Sequence, residues 1–175
     1  MKRVIISSVL IALVMFMSSC GGSSIEGNWK IDPSSLDLVL GEGFPEEMKQ
    51  GVEEAKKEAT SAKSKEEADK VTLELLADGK ALLKHAEHAD ETQEFHWKQS
   101  GDVLNLNGEV EGEKFNINLD IISSSSNEVT IGFTGESLLE QVKAERPELI
   151  EQIPAMFDIN KLVEGAKVSI KMKKA

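Results

Sequence analysis

The sequence has one cysteine, no tyrosine and four prolines among its 175 residues, and its aromatic residues are six phenylalanines and two tryptophans. A single cysteine excludes a disulfide within the chain. No apolar run reaches the roughly 18 residues that indicate a transmembrane helix. Because aromatic residues are so few, the positions at which they cluster are informative about the core.

Positive charge is also scarce. The chain has 20 Lys and Arg against 31 Asp and Glu, a formal net charge of −11. Without residues 1–19, which carry two basic and no acidic residues, the balance is 18 against 31, or −13. Such a field repels nucleic acids and anionic membrane surfaces, so we expect no nucleic-acid partner. The 156 residues that follow position 19 are enough for one domain with a core of its own.

Residues 1–19 have the order of a secretory signal peptide. Lys2 and Arg3 precede the segment 4–17, whose 14 residues are apolar except for two serines. A helix of that length spans about 21 Å, which is too short for a hydrocarbon core about 30 Å thick. Small residues then precede the lone Cys20, as cleavage of a signal peptide requires. We therefore expect segment 1–19 to be removed.

The residues Met17-Ser18-Ser19-Cys20 resemble a bacterial lipobox. The resemblance implies that the thiol of Cys20, a strong nucleophile, receives a diacylglycerol, and that the new amine is acylated after cleavage. Two or three acyl chains, at about 0.8 kcal/mol per buried CH₂, would anchor the chain stably in a membrane. In such lipoproteins an Asp after the cysteine signals inner-membrane retention, and Gly21 stands there. The resemblance thus implies the outer membrane and a periplasm-facing domain. The Gly and Ser residues at 21–24 predict a flexible tether, so that residues 20–25 comprise the lipidated cysteine and this tether.

Alternation of apolar and polar residues dominates the chain after about residue 70. The series from Phe115 to Ile121 is the clearest example, and Asp78-Gly79 predicts a tight hairpin. A strand at Trp29 brings the number of candidate strands to eight, and short connections between residues 71 and 134 favour antiparallel pairing of neighbours. We expect a mainly β fold with helical inserts (α+β), an up-and-down antiparallel barrel of about eight strands.

Two helical inserts interrupt this pattern, at about 45–70 and 136–162. The first has an alanine-rich seam, so we expect it to dock weakly. The second is far more apolar, with Pro147 at a helix start and Pro154 at a kink or end. We expect the second insert to close one end of the sheet or to cover a gap before the last strand.

Gly27-Asn28-Trp29 resembles the Gly-x-Trp that begins lipocalins and the lipocalin-like domains of bacterial lipoproteins, and Gly101-Asp102 matches a turn common in them. The resemblance covers residues 26–134 and the last strand but neither helical insert. It implies that residues 26–175 form one lipocalin-like barrel with helical inserts, and that the barrel holds a small hydrophobic molecule. In lipocalins an arginine from a late strand covers the first tryptophan, and Lys171 or Lys173 would take its place here. The residues implied as ligand-lining are Trp29, Phe95, Trp97, Phe115, Ile117 and Phe133.

The same large side chains could instead fill the barrel, as in other barrels of this strand number. The chain would then be an interaction module, or an accessory subunit of an envelope complex, in which a helical insert docks an envelope protein. Both alternatives make the chain a lipid-anchored envelope lipoprotein without a cofactor.

Neither catalysis nor metal binding is predicted. The sequence lacks a Gly-x-Ser-x-Gly elbow, a Gly-rich phosphate loop and a zinc-binding helix motif. If Leu83 faces Phe95, then His85 lies on the core face and His96 on the outer face, so the histidines do not converge on a metal.

Overall fold

The computed structural model describes residues 24–110, 112–151 and 158–175. Its eight strands form one closed antiparallel barrel, in which each strand pairs with the next and the last pairs with the first. This confirms the predicted mainly β fold and its up-and-down order. The strands are β1 (Gly27–Val39), β2 (Val71–Leu75), β3 (Lys80–His85), β4 (His88–Ser100), β5 (Val103–Val110), β6 (Glu113–Ser124), β7 (Glu128–Thr134) and β8 (Lys167–Lys174).

Both predicted inserts are helical. The first is divided at Ser61, whose side chain accepts a hydrogen bond from the Ser64 amide and so begins a new helix. The second has a helix that begins at Pro147, as predicted. Pro154 and Cys20 lie outside the described residues. The helices are α1 (Glu46–Ala59), α2 (Ala62–Asp69), α3 (Gly135–Glu145), α4 (Pro147–Glu151) and α5 (Ile159–Val163).

The two ends of the barrel differ. One end, which we call the filled end, holds residues 24–26, the C-terminal residue and the short turns after β2, β4 and β6. The opposite end, the insert end, receives the connections that follow β1, β3, β5 and β7, and therefore both inserts. An up-and-down order requires this arrangement, because alternate connections return to the same end.

The core lies toward the filled end. On the inner face of β6, exposure rises from 8% at Ile121, through the half-buried Leu119, to 37% at Ile117. On β7, Val129 and Ile131 are buried, whereas Phe133 is half-buried. The inner side chains are therefore closely packed at one end and accessible at the other. The core cluster consists of Ile25, Trp29, Leu75, Ala81, Trp97, Leu104, Ile121, Val129, Ile131 and Met172.

Two gaps open in the barrel wall toward the insert end. β1 pairs with β2 only through Gly27 to Trp29, and β6 pairs with β7 only from Asp120 onward. By contrast, β7 and β8 are paired along their whole length. Of the two expectations for the second insert, a gap before the last strand is wrong, because the gap lies one strand earlier, between β6 and β7. The other expectation, that the insert closes one end of the sheet, agrees with its position at the insert end.

The helical inserts lie at these two gaps. α2 lies beside β1, where Lys30 Nζ donates a hydrogen bond to the Asp69 carbonyl oxygen at 2.6 Å. At the other gap, the Gln141 side chain of α3 accepts from the Asn118 amide and donates to the Asn118 carbonyl, both at 2.8 Å. One side-chain amide thus satisfies backbone groups of β6 that have lost their strand partner.

The alanine seam predicted for the first insert is not buried. Ala55, Ala59 and Ala62 are exposed, and Val52 is half-buried. These three alanines therefore bury little surface against the barrel, whereas Val52 lines an apolar pocket together with strand residues. Most of the exposed surface of α1 is charged, as the sequence indicates.

An ion pair joins β1 to β8 where the barrel closes. Lys173 Nζ lies 2.6 Å from Asp32 Oδ2, and the side chain and amide of Ser34 donate hydrogen bonds to the same carboxylate. The hydrogen bond from Lys173, followed by that from the Ser34 side chain, lowers the pKa of Asp32 from 3.8 to about 2. The ionised carboxylate therefore stabilises the folded state.

We expect Asp32→Asn to lower the free energy of unfolding by about 1 to 2 kcal/mol at pH 7. Because the folded-state pKa of Asp32 is depressed, this contribution is complete above about pH 4 and is lost as the pH falls toward 2. Urea unfolding of both proteins at pH 7 and pH 3 measures the difference. Asp37→Asn, at an exposed position of the same strand, is the control. Equal stability of Asp32→Asn and the natural chain at pH 7 would contradict the assignment.

Candidate functional site

The six residues predicted to line a ligand cavity separate into two groups. Trp29 and Trp97 lie in the core of the filled end, and Trp29 is only 2% exposed. The indole N–H of Trp29 donates to the Ile25 carbonyl oxygen, and that of Trp97 to the Leu76 carbonyl oxygen, both at 2.8 Å. Buried indoles with satisfied N–H groups are structural residues. These two side chains therefore close the barrel.

A lysine of the last strand covers Trp29, but it is neither of the two expected. Lys174 Nζ lies 4.5 Å from the centroid of the Trp29 ring. Lys171 and Lys173 point outward and pair with acidic side chains. The reason is strand alternation, since Met172 is buried and position 174 shares its face. The sequence alone indicates that positions 172 and 174 share one face of the strand and that positions 171 and 173 share the other.

The other four predicted residues lie farther toward the insert end. Phe95 and Phe115 pack edge to face, with ring centroids 5.2 Å apart and planes at 75°. Both are half-buried, and Ile117 beside them is exposed on the inner face. Only Phe133 lines the apolar pocket described next.

An apolar pocket of about 320 Å³ lies where the insert end meets both inserts. Its floor is formed by Leu38, Phe133 and Val168, which face one another in the register of β1, β7 and β8. Its other walls come from the helical inserts. The side chains that complete it are Val39, Leu40, Phe44, Val52, Thr134, Leu138, Leu162, Val163, Ala166 and Lys167.

Close backbone contacts hold α5 against the pocket. A Cβ atom on Gly41 or on Gly135 would lie 2.1 Å from the carbonyl oxygen of Leu162 or Val163, respectively. Glycine at both positions lets the start of each insert approach α5 without a clash. The Gly43 amide also donates to the Lys161 carbonyl oxygen at 3.0 Å. The walls of the pocket are thus joined by main-chain contacts.

Sequence reasoning missed the pocket residues that lie in the inserts. The missing step was topological: in an up-and-down barrel, the connections after β1 and β7 return to the same end. Phe44, Leu138 and Leu162 therefore had to meet near the last inner residues of the strands. The sequence of either insert alone does not indicate a pocket that both inserts form together.

The outer face of β5 and β6 carries an asparagine network instead of apolar side chains. Asn105 Nδ2 donates to the side-chain oxygens of Asn116 and Asn118 at 2.7 and 2.8 Å. Asn107 donates to Asn105, and Asn116 donates to Glu145 of α3. These amides thus bind one another and connect the sheet to α3.

The histidines of the hairpin lie at two places, because His85 pairs with His88 in the register of β3 and β4, whereas His96 pairs with Lys80. Leu83 pairs with Gln93, and Ala81 pairs with Phe95, so the assumed pairing of Leu83 with Phe95 is wrong by two residues. Because side chains alternate between the two faces of a strand, a register shift of two residues leaves each side chain on the face that was predicted. His96 is accordingly exposed on the outer face, as expected. Within residues 24–110, 112–151 and 158–175, no group of three or more His, Cys, Asp or Glu could hold a metal ion.

Helices in the described part of the chain are too short and too polar to cross a membrane.

We expect Gly41→Ala to lower the free energy of unfolding by about 1 to 3 kcal/mol, because its Cβ would displace the Leu162 carbonyl. Hydrogen exchange should be faster in α5, which has to move. Gly51→Ala is the control, because its new Cβ meets no atom within 4 Å and alanine has a higher helix propensity than glycine. The stability of this variant should therefore not fall. Urea unfolding and exchange mass spectrometry measure both effects. A Gly41→Ala protein that matches the Gly51→Ala protein in both would refute the close contact.

Comparison of the chain with protein-family models, with curated proteins and with solved structures finds no significant match. The likeness to lipocalin-like lipoproteins therefore depends on the Gly-x-Trp and lipobox residues and on the barrel itself.

Proposed function

We propose that this chain is a lipid-anchored envelope lipoprotein whose lipocalin-like barrel binds a small hydrophobic molecule at its insert end. The apolar pocket among β1, β7, β8 and the inserts is the observation that carries the binding proposal. The lipobox-like residues that end at Cys20 carry the proposal of a lipid anchor. The periplasmic face of the outer membrane is the corresponding location.

The pocket fits an apolar ligand of modest size. Its volume of about 320 Å³ lies at the lower end of the range for small-molecule sites, roughly 300 to 1,000 Å³. Thr134 and Lys167 are the polar residues in a wall that is otherwise aliphatic or aromatic, apart from glycine. Binding would therefore be driven by burial of apolar surface, at about 25 cal/mol per Å².

The lining residues also favour binding over catalysis. They include no carboxylate and no imidazole, which are the usual general acids and bases. A ligand held there contacts mostly alkyl and phenyl groups. We therefore propose a carrier or sensor of an apolar molecule that is not an enzyme.

A second candidate function is the docking of an envelope protein. The side chains of Val39 and Leu138 are 45% and 43% exposed at the rim of the pocket. An apolar side chain of a partner could cover them and enter the pocket. The two candidates differ in whether the purified domain takes up an apolar small molecule by itself.

We expect residues 21–175 to bind the neutral fluorescent probe N-phenyl-1-naphthylamine at one saturable site. Leu138→Glu should weaken this binding about tenfold, because it places a charge at the rim of the pocket. The matched control is Ile122→Glu, since Ile122 is also exposed, at 44%, but lies outside the pocket. Fluorescence titration measures both affinities. Absence of saturable binding, or equal weakening by both substitutions, would contradict the ligand site and favour protein docking.

We expect Cys20→Ala to abolish acylation and to leave the uncleaved precursor, because the thiol is the atom that receives the diacylglycerol. Metabolic labelling with a tritiated fatty acid and membrane extraction with detergent measure this. A Ser19→Ala variant, which keeps a small residue before the cysteine, is the control and should be labelled normally. Labelling of Cys20→Ala at the level of the natural chain would refute the anchor.

A further inference from the structure

We infer that the anchored barrel stands with its filled end toward the membrane and presents the insert end, with its apolar pocket, on the side away from the bilayer. The inference rests on the proposed lipid attachment at Cys20. It implies that the mouth of the pocket does not face the leaflet that holds the anchor.

The first line of evidence is where the chain enters the barrel. Ile25 is buried at the filled end, where its carbonyl oxygen accepts from the Trp29 indole and its amide donates to Gln99 Oε1 at 3.3 Å. The chain is thus fixed to the barrel from residue 25 onward. Only three residues lie between Cys20 and Ser24, so the four steps from one to the other span at most about 14 Å when fully extended.

The pocket lies at the opposite end of the strands. From Lys174 at the filled end to Val168 in the pocket, β8 advances by six residues. This is about 20 Å along the strand, or about 15 Å along the axis of a barrel whose strands tilt by about 40°. The tether is therefore too short to bring the pocket to the membrane unless the barrel lies on its side.

The second line of evidence is the distribution of charge, which opposes that sideways position. The chain segments that connect strands at the insert end, namely residues 40–70, 86–87, 111–112 and 135–166, carry 18 acidic and 9 basic residues, a net charge of −9. The rest of residues 20–175 carries 13 acidic and 9 basic residues, or −4.

An anionic lipid surface therefore repels the connections at the insert end more strongly than the rest of the domain. Charge and tether therefore favour the same orientation.

The test uses full-length acylated chain in vesicles that contain a rhodamine-labelled lipid as energy acceptor. Acylation occupies Cys20, so one introduced cysteine can carry the donor dye. Asp102→Cys places the donor in the turn after β4 at the filled end, and Glu136→Cys places it on α3 at the insert end. Both positions are exposed and both substitutions remove one negative charge, so the two variants form a matched pair.

We expect at least twofold more efficient energy transfer from position 102 than from position 136. Insertion of about 20 Gly and Ser residues between Gly22 and Ser23 should reduce this difference, because the longer tether can reach around the barrel. Equal or reversed transfer with the natural tether would overturn the inference.

Flotation of the vesicles before each measurement separates this inference from the proposed function. If the chain does not float with the vesicles, the lipid anchor is refuted, and the orientation is refuted with it. If the chain floats but transfer is equal from both positions, the anchor stands and only the orientation is refuted.

Discussion

The packing of Trp29 at the filled end is the interaction on which the closed barrel depends. β1 pairs with β2 through three residues only, and Trp29 is the last of them. Its ring is buried, its N–H is bonded to the Ile25 carbonyl, and Lys174 of β8 lies over its face. One side chain thus connects the chain entry with the first and last strands. Loss of this side chain would remove the contacts that close the sheet.

Tight closure at one end leaves the other end to the inserts. The strand pairing between β1 and β2 and between β6 and β7 stops short of the insert end, and helices lie beside both gaps. The Gln141 side chain forms hydrogen bonds with the unpaired backbone groups of Asn118 on β6. Close backbone contacts at Gly41 and Gly135 join both inserts to α5. The apolar pocket is a consequence of this arrangement, since the last inner residues of the strands and the apolar residues of the helices meet there.

The sequence predicted those features that depend on local patterns. Alternation identified the strands, and Asp78-Gly79 marked a turn in which Gly79 has a φ of +85°. Features set by distant contacts were not predictable in this way. The shift that pairs Leu83 with Gln93 depends on the irregular pairing before His85, and the pocket depends on two inserts separated by 65 residues or more. The contact of Lys174 with Trp29 is an exception among the distant contacts, because the alternation of inner and outer residues along β8 already assigns Lys174 to the inner face.

Our central claim is that the barrel is filled by side chains at one end and binds an apolar molecule at the other. The position of a bound apolar molecule tests this claim most directly. A crystal structure of residues 21–175 grown with a short brominated alkyl alcohol would locate the bromine by its anomalous signal. The account predicts a peak in the pocket lined by Leu38, Phe133 and Leu162. A peak between Trp29 and Trp97, or no bound molecule at saturating alcohol, would contradict it.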